Sequence, residues 1–187
     1  MFKLILLSAL GIMAIFLAVV ATRPSEFRIT RTASFAAPAG VIFNQINDFR
    51  NWNEWSPWAK LDPNARNSFE GPPAGVGARM AWVGNNEVGE GNMTITESLA
   101  NERLLLDLEF LKPFAARNVT EFTFEPNGNE TRLTWSMTGR NSFFGKAASL
   151  IFNCEKMVGG QFGQGFANLR EIVEQAPALS VPSPSAS

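Results

Sequence analysis

NDFRNWNEWSPW, residues 47–58, contains three of the chain's five tryptophans within seven positions. Tryptophan is costly to leave in water, and a buried indole N–H needs a hydrogen-bond acceptor. Such a cluster marks either the rim of an apolar pocket or a packed corner of the core. Trp55 and Trp58 are the better rim candidates, because Pro57 bends the chain between them.

The composition excludes several classes of function. The 187 residues suffice for one domain with a core and accessory segments. A net charge of −1 without a basic stripe argues against a nucleic-acid partner. Histidine and tyrosine are absent, which removes the commonest general base and metal ligand, so we expect no metal and no cofactor. The single cysteine, Cys154, has no partner for an internal disulfide.

The N-terminal segment, residues 1–24, predicts a membrane association. Residues 4–21 carry no charge, and about twenty apolar residues span a bilayer. The segment is either an uncleaved single-pass anchor or a signal peptide cleaved after the small residues at 19–21. We favour the anchor because the apolar run is longer than a usual signal core. We expect the domain on the extracytoplasmic side, or secreted or periplasmic if the segment is cleaved.

Residues 25–176 are predicted to form one α+β domain. Side chains alternate between apolar and polar over residues 26–35, as in a half-buried strand, although Arg31 falls on the apolar side. Residues 41–46 have helical spacing, a short helix capped by Asp48 follows, and residues 55–66 are predicted to be a loop. Residues 67–139 alternate with turn signals between them, which makes six or seven antiparallel strands in all. The Pro/Ser-rich residues 177–187 are predicted to be disordered.

A change of period marks the last segment. Apolar residues recur every three or four positions from Phe143 to Val173, the pattern of a long helix with one apolar stripe. Four glycines at 159–165 predict a kink, or two helices in series, where a backbone or a ligand comes close. Such a helix packs across a curved sheet. The inward aromatic side chains cannot all reach one helix, so an apolar cavity between helix and sheet is expected.

Several motifs give the chain a family resemblance. They are APAGVIF at 37–43, NDFRNW at 47–52, WSPW at 55–58, LDP at 61–63, GVG at 75–77, WVGN at 82–85, VGEG at 88–91, residues 131–135 and residues 162–170. With them the chain resembles the START-like superfamily, which has a helix-grip fold, and within it small bacterial proteins of the polyketide cyclase/dehydrase type. The resemblance covers about residues 26–175, and its N-terminal segment fits membrane-anchored members. It implies a cavity that binds lipids, polyketides or other apolar molecules.

These observations leave three hypotheses open. The first is a membrane-tethered module that binds a small hydrophobic ligand between the sheet and the C-terminal helix. The second is a cyclase- or hydratase-type enzyme, with Glu90 and Arg31 as its candidate catalytic residues. The third is a structural module with a filled cavity. For the first hypothesis we predict that the ligand contacts Trp55, Trp58, Met80, Trp82, Met93, Phe110, Phe122, Trp135, Phe162 and Phe166.

Purely structural roles for these and neighbouring residues stay open as well. Trp82 and Trp135 serve equally as cavity lining or as plain core. Asp107 and Glu109 lie on the polar side of their strand, where a solvated face is the default. The glycines at 75–91 lie between strands with no following helix, so they indicate turns rather than a phosphate loop.

Overall fold

The computed structural model describes residues 2–151 and 154–175. The helices are α1 (Phe2–Thr22), α2 (Ala39–Asn47), α3 (Trp52–Trp55), α4 (Pro57–Leu61), α5 (Phe143–Ile151) and α6 (Cys154–Gln175). The strands are β1 (Glu26–Phe35), β2 (Arg66–Glu70), β3 (Arg79–Val83), β4 (Glu90–Leu99), β5 (Arg103–Lys112), β6 (Ala116–Asn127) and β7 (Glu130–Arg140). A 3-10 turn at Phe49–Asn51 links α2 to α3. The tail at 177–187 lies outside the described residues.

One antiparallel sheet carries all seven strands, in the order β1-β7-β6-β5-β4-β3-β2. The predicted α+β helix-grip fold is confirmed, since the sheet is a meander with the C-terminal helix against one face. Only β1 departs from the meander, because it pairs with the last strand over ten residues. The short β2 forms the other edge.

The register defines two ends of this sheet. At the proximal end, Glu26 lies opposite Arg140 and Glu90 lies opposite Lys112. At the distal end, β1 finishes at Phe35 and β4 turns into β5 through residues 99–103. Because α1 leads directly into β1, the N-terminal helix joins the domain at the proximal end.

The two faces of the sheet follow from the alternation of side chains. The inner face carries the buried residues Ile29, Phe35, Ile95, Leu104, Leu106, Phe122, Phe124, Leu133 and Trp135. Helix α6 runs along β1 on this face. Its Arg170 donates to the carbonyl of Ser34 over 2.9 Å, and its Glu174 accepts from the N–H of Ala36 over 3.0 Å. The helix therefore begins near the proximal end and finishes at the distal end.

The tryptophan block forms a corner between these helices and the sheet. Trp52 and Trp55 are buried, and their indole N–H groups donate to the carbonyls of Ile46 and Gln45 over 2.8 and 3.2 Å. Asp48 accepts from the N–H of Arg50, which confirms its predicted capping role. These two hydrogen bonds from buried indoles therefore hold α3 against α2.

Two local predictions are wrong. The predicted loop at 55–66 contains α4, which begins at Pro57. Pro57 does not prevent this helix, because in the first turn the missing N–H of a proline costs nothing. The glycines at 159–165 do not break the helix, since α6 continues through all four. The described part of α5 reaches Ile151 and that of α6 starts at Cys154, so the glycines lie within α6 rather than at a junction between two helices.

Helix α1 stands apart from this core. It has 21 residues, enough by length and composition to cross a membrane, and a signal sequence passes the same test. Val20 is its one buried residue, and the helix packs against α5.

Candidate functional site

The inner face of the sheet divides into a closely packed part and a more open part. The packed part centres on Trp135 of β7. Phe162 of α6 stacks on its ring at 4.0 Å between centroids and 8° between planes. Phe122 lies at 4.9 Å, and Trp55 meets the same ring edge-on at 5.7 Å. Each aromatic pair adds about 0.5–1.5 kcal/mol beyond the area it buries, so this cluster holds α6 and α3 firmly on the sheet.

Five of the residues predicted to contact a ligand belong to this packed cluster. They are Trp55, Phe122, Trp135, Phe162 and Phe166, and all of them are buried. Their rings lie against one another, so they act as core packing in this structure. The indole N–H of Trp135 is buried without a hydrogen-bond acceptor among the described residues.

The more open part lies toward the proximal end. Met80, Trp82 and Met93 retain 6%, 9% and 8% exposure, whereas Leu104, Leu106 and Leu133 further along the same face have 0–1%. Phe110 is half-buried and meets the ring of Trp82 edge-on at 5.9 Å. Since the backbone of α6 lies closest to β1, α3 and α4, the inner faces of β3, β4 and β5 are covered less completely here.

Trp58 is a half-buried member of the packed part, with its ring edge-on to Trp135 at 5.9 Å and to Phe162 at 6.4 Å. Of the predicted ligand contacts, Met80, Trp82, Met93 and Phe110 lie together in the open part. We call this the proximal groove.

A buried carboxylate holds the loops around the proximal groove. Asp62, at the end of α4, accepts from the backbone N–H of Asn64 over 3.0 Å and of Asn85 over 2.6 Å. The indole N–H of Trp82 donates to the carbonyl of Val88 over 3.3 Å, which fixes the same loop to the sheet. Backbone donors to a carboxylate are strong because the acceptor is charged. Asp62 thus ties the tryptophan-rich helices to the turn between β3 and β4.

Arg31 is a cationic side chain on the inner side of β1. It lies opposite Trp135 in the β1–β7 register, and its guanidinium packs on the backbone of α6 at Gly159. It donates to the carbonyl of Thr30 over 2.7 Å and lies 3.8 Å from the carboxylate of Glu155. A Cβ atom at position 159 would occupy the place of the guanidinium, so Arg31 would have to move aside for any other residue there.

Glu90, the other candidate catalytic residue, lies elsewhere. Its carboxylate binds the ammonium group of Lys112 at 2.8 Å, and it shares the outer face with Val83. The structure does not bring Glu90 and Arg31 together. Within the described residues, no three His, Cys, Asp or Glu side chains gather as metal ligands.

A polar trough of about 920 Å³ crosses the outer face and was not foreseen from the sequence. Its charged lining consists of Glu26, Arg28, Arg79, Asp107, Glu109, Arg117 and Arg140. Glu109 accepts from Asn92 over 3.1 Å and from two nitrogens of Arg117 over 3.0 and 2.9 Å. The hydrogen bond from Asn92, followed by those from Arg117, holds the pKa of Glu109 below its usual value. In the sequence, only the position of Asp107 and Glu109 on the polar side of their strand pointed toward this trough.

The chain matches one family model, and several solved structures share its fold. The family model described as "Polyketide cyclase / dehydrase and lipid transport" matches residues 26–174. No curated protein matches the sequence.

Several solved structures share the fold. A structural-genomics protein from Mesorhizobium loti is 15% identical, with a TM-score of 0.60 over 80% of this chain and 98% of its own. The Aha1 dimer from Colwellia psychrerythraea is 12% identical, with a TM-score of 0.58 over 81% of this chain and 98% of its own. CalU16 from Micromonospora echinospora is 14% identical, with a TM-score of 0.54 over 79% and 76%. At these identities the likeness establishes the fold alone.

Proposed function

Because the chain belongs to the polyketide cyclase/dehydrase and lipid transport family, we propose that it is a membrane-tethered module that binds a small hydrophobic or amphipathic ligand. The ligand lies in the proximal groove, between the sheet and the first turns of α6. The observation that carries this proposal is the half-buried Phe110 beside Met80, Trp82 and Met93, which retain 6–9% exposure where Leu104, Leu106 and Leu133 on the same face are sealed.

The composition of the proximal groove suits an apolar ligand. Two thioether side chains and two aromatic rings supply adaptable, polarizable contacts, since methionine fills irregular space easily. Removing apolar surface from water contributes about 25 cal/mol per Å² before the costs of ordering the ligand. Binding is therefore driven by the area that the ligand buries.

Arg31 lies outside the proximal groove. It is on β1, opposite Trp135 in the packed part of the face, and strands β7 and β6 separate β1 from β5. The apolar lining of the groove therefore sets the class of ligand that we propose, a small molecule that is apolar over most of its length.

The tether is α1, which we propose remains attached as a single-pass anchor with the domain on the extracytoplasmic side. Its apolar surface is almost wholly exposed, which a folded domain in water does not sustain. Intact-mass measurement of the membrane-extracted protein tests this directly. A mass that lacks residues 1–21 would show that the segment is a cleaved signal peptide and not an anchor.

Native mass spectrometry of the full chain, released from a non-ionic detergent, tests the ligand site. We expect an apolar adduct on the wild type and its loss in Phe110→Glu, which places a charge inside the groove. The matched control is Val119→Glu, at a 42% exposed position on the outer face, which should keep the adduct.

A dansylated fatty acid provides a second readout, through energy transfer from Trp82 and Trp58. If the wild type carries no adduct and does not bind the probe, or if Phe110→Glu binds it as well as Val119→Glu does, the groove is not a ligand site. The domain would then be a structural module.

A further inference from the structure

The two most exposed aromatic side chains of the described residues lie on the domain rather than on α1. Phe144 is 82% exposed and Phe114 is 81% exposed, while the most exposed aromatic side chain of α1, Phe2, is 79% exposed. Leu111 at 51% and Phe143 at 47% accompany them. Aromatic side chains this exposed are unusual on a domain surrounded by water, and they indicate a surface that meets an apolar partner.

All four residues belong to the proximal end. Leu111 and Phe114 lie at the β5–β6 connection, beyond the pairing of Phe110 with Ala116. Phe143 and Phe144 begin α5, directly after β7 ends at Arg140 opposite Glu26. We call Leu111, Phe114, Phe143 and Phe144 the proximal apolar patch.

The chain itself places this patch beside α1. Only residues 23–25 separate the end of α1 from the start of β1, and three residues span at most about 10 Å. The carbonyl of Ser25 accepts from the N–H of Asn141 over 2.7 Å, which fixes this junction to the start of the α5 segment. Helix α5 also packs against α1.

From this geometry we infer that the proximal apolar patch docks into the surface of the bilayer that α1 crosses, with the rings of Phe114 and Phe144 in the interfacial layer. This inference rests on the proposed tether. Interfacial layers favour aromatic side chains, and the cationic Arg23 and Arg140 at the same end suit anionic headgroups. Among the described residues, neither of these two arginines has a carboxylate within 4.0 Å.

Docking in this orientation has a consequence for the ligand. The proximal groove opens at the same end of the sheet, because Trp82 and Phe110 stand next to the residues that close β3, β4 and β5 there. A ligand from the membrane would thus reach the groove without crossing water.

A fluorescence experiment on the full chain tests the inference. In a Cys154→Ser background, single cysteines at Phe114→Cys and Phe144→Cys carry the fluorophore NBD, and the protein is reconstituted into vesicles of phosphatidylethanolamine and phosphatidylglycerol. Leu10→Cys, in the middle of α1, reports on the tether. The matched control is Val76→Cys, an apolar residue that is 59% exposed in the loop that leads into β3 from the distal side.

We expect the labels at 114 and 144 to shift to shorter wavelengths and to be quenched by nitroxide-bearing lipids, while the label at 76 behaves as in water. If the label at 10 is quenched but those at 114 and 144 match the control, the tether stands and docking is refuted. If those at 114 and 144 are quenched but the label at 10 is not, docking stands and the tether fails. A blue shift without nitroxide quenching would show that a protein surface, such as a second copy, covers the patch, which also refutes docking.

Discussion

Replacing Gly165 with alanine should destabilise the domain, whereas the same replacement at Gly163 should stabilise it. Both glycines lie within α6, but they face different surroundings. A Cβ atom at Gly165 would lie 3.0 Å from the ring of Trp135 and 3.3 Å from the ring of Pro57. A Cβ atom at Gly163 would meet nothing within 4 Å.

The magnitudes follow from two opposed effects. Alanine is favoured over glycine in a helix interior by about 1 kcal/mol, and this gain applies to both variants. At Gly165 it is offset by overpacking, which costs about 1–3 kcal/mol in a well-packed core. The ring of Trp135 has little room to retreat, because Phe162 stacks on it at 4.0 Å and Phe122 lies at 4.9 Å. The difference between the two variants cancels the helix propensity, so it measures the steric cost alone.

Urea denaturation of the full chain in detergent, followed by tryptophan fluorescence, measures this difference. All five tryptophans lie between residues 52 and 135, so the signal reports on the domain and not on α1. At about 2 kcal/mol per M of urea, a steric cost of about 2 kcal/mol separates the two midpoints by about 1 M. Gly160→Ala, with open space at its Cβ, should behave like Gly163→Ala. Equal stabilisation by Gly165→Ala and Gly163→Ala would refute the close packing of α6 on Trp135.

Two further predictions concern polar groups. Asn168 is buried, accepts from Lys60 and from Gln164 over 2.9 Å each, and donates to the carbonyl of Trp55 over 2.9 Å. Asn168→Leu should therefore cost about 1–3 kcal/mol in the same urea assay, and a cost no greater than that of Glu171→Leu, at an exposed position of the same helix, would contradict this role. Because the folded state holds the pKa of Glu109 below 4.5, its ionised form contributes stability above that value and loses it as the pH falls through the lowered pKa. Glu109→Gln should therefore be less stable than the wild type at neutral pH, with a gap that closes in strong acid, and a gap independent of pH would be the contrary result.

The sequence predicted the strands well because each has one wet face. The alternation predicted over residues 26–35 and 131–135 is found as more buried and more exposed sides of β1 and β7, whereas Ser136 on the polar side of β7 is buried. The turn signals at 127–129 also fall where β6 meets β7. Local patterns suffice here because the period of a strand is set by its own backbone.

The predictions for α6 failed where packing outweighs propensity. Its glycines were expected to mark a kink, or two helices in series, where a backbone or a ligand comes close. Gly159 and Gly165 instead stand where α6 meets side chains, the guanidinium of Arg31 and the ring of Trp135. Close approach, rather than flexibility, explains those two positions. A single sequence does not show which neighbour a glycine admits, so this distinction required the fold.

The candidate site was predicted only in outline. The alternation of side chains along the strands places Trp82 and Trp135 on the same face of the sheet. It does not show that Phe162 covers Trp135 while the surroundings of Trp82 stay partly open. The trough on the outer face was missed because it depends on register. Asn92 and Arg117 come from different strands and meet on Glu109 only after β4, β5 and β6 have paired.

The pairing of β1 with β7 also determines how the molecule bears mechanical load. A pull on α1 along the axis of β1 enters the sheet at Glu26, at the end of ten paired residues. Antiparallel hydrogen bonds lie perpendicular to the strand, so such a force shears them all together rather than opening them one by one. The fold thus attaches its N-terminal helix through a connection that resists tension along the strand, and peeling β1 sideways from β7 is the weak direction.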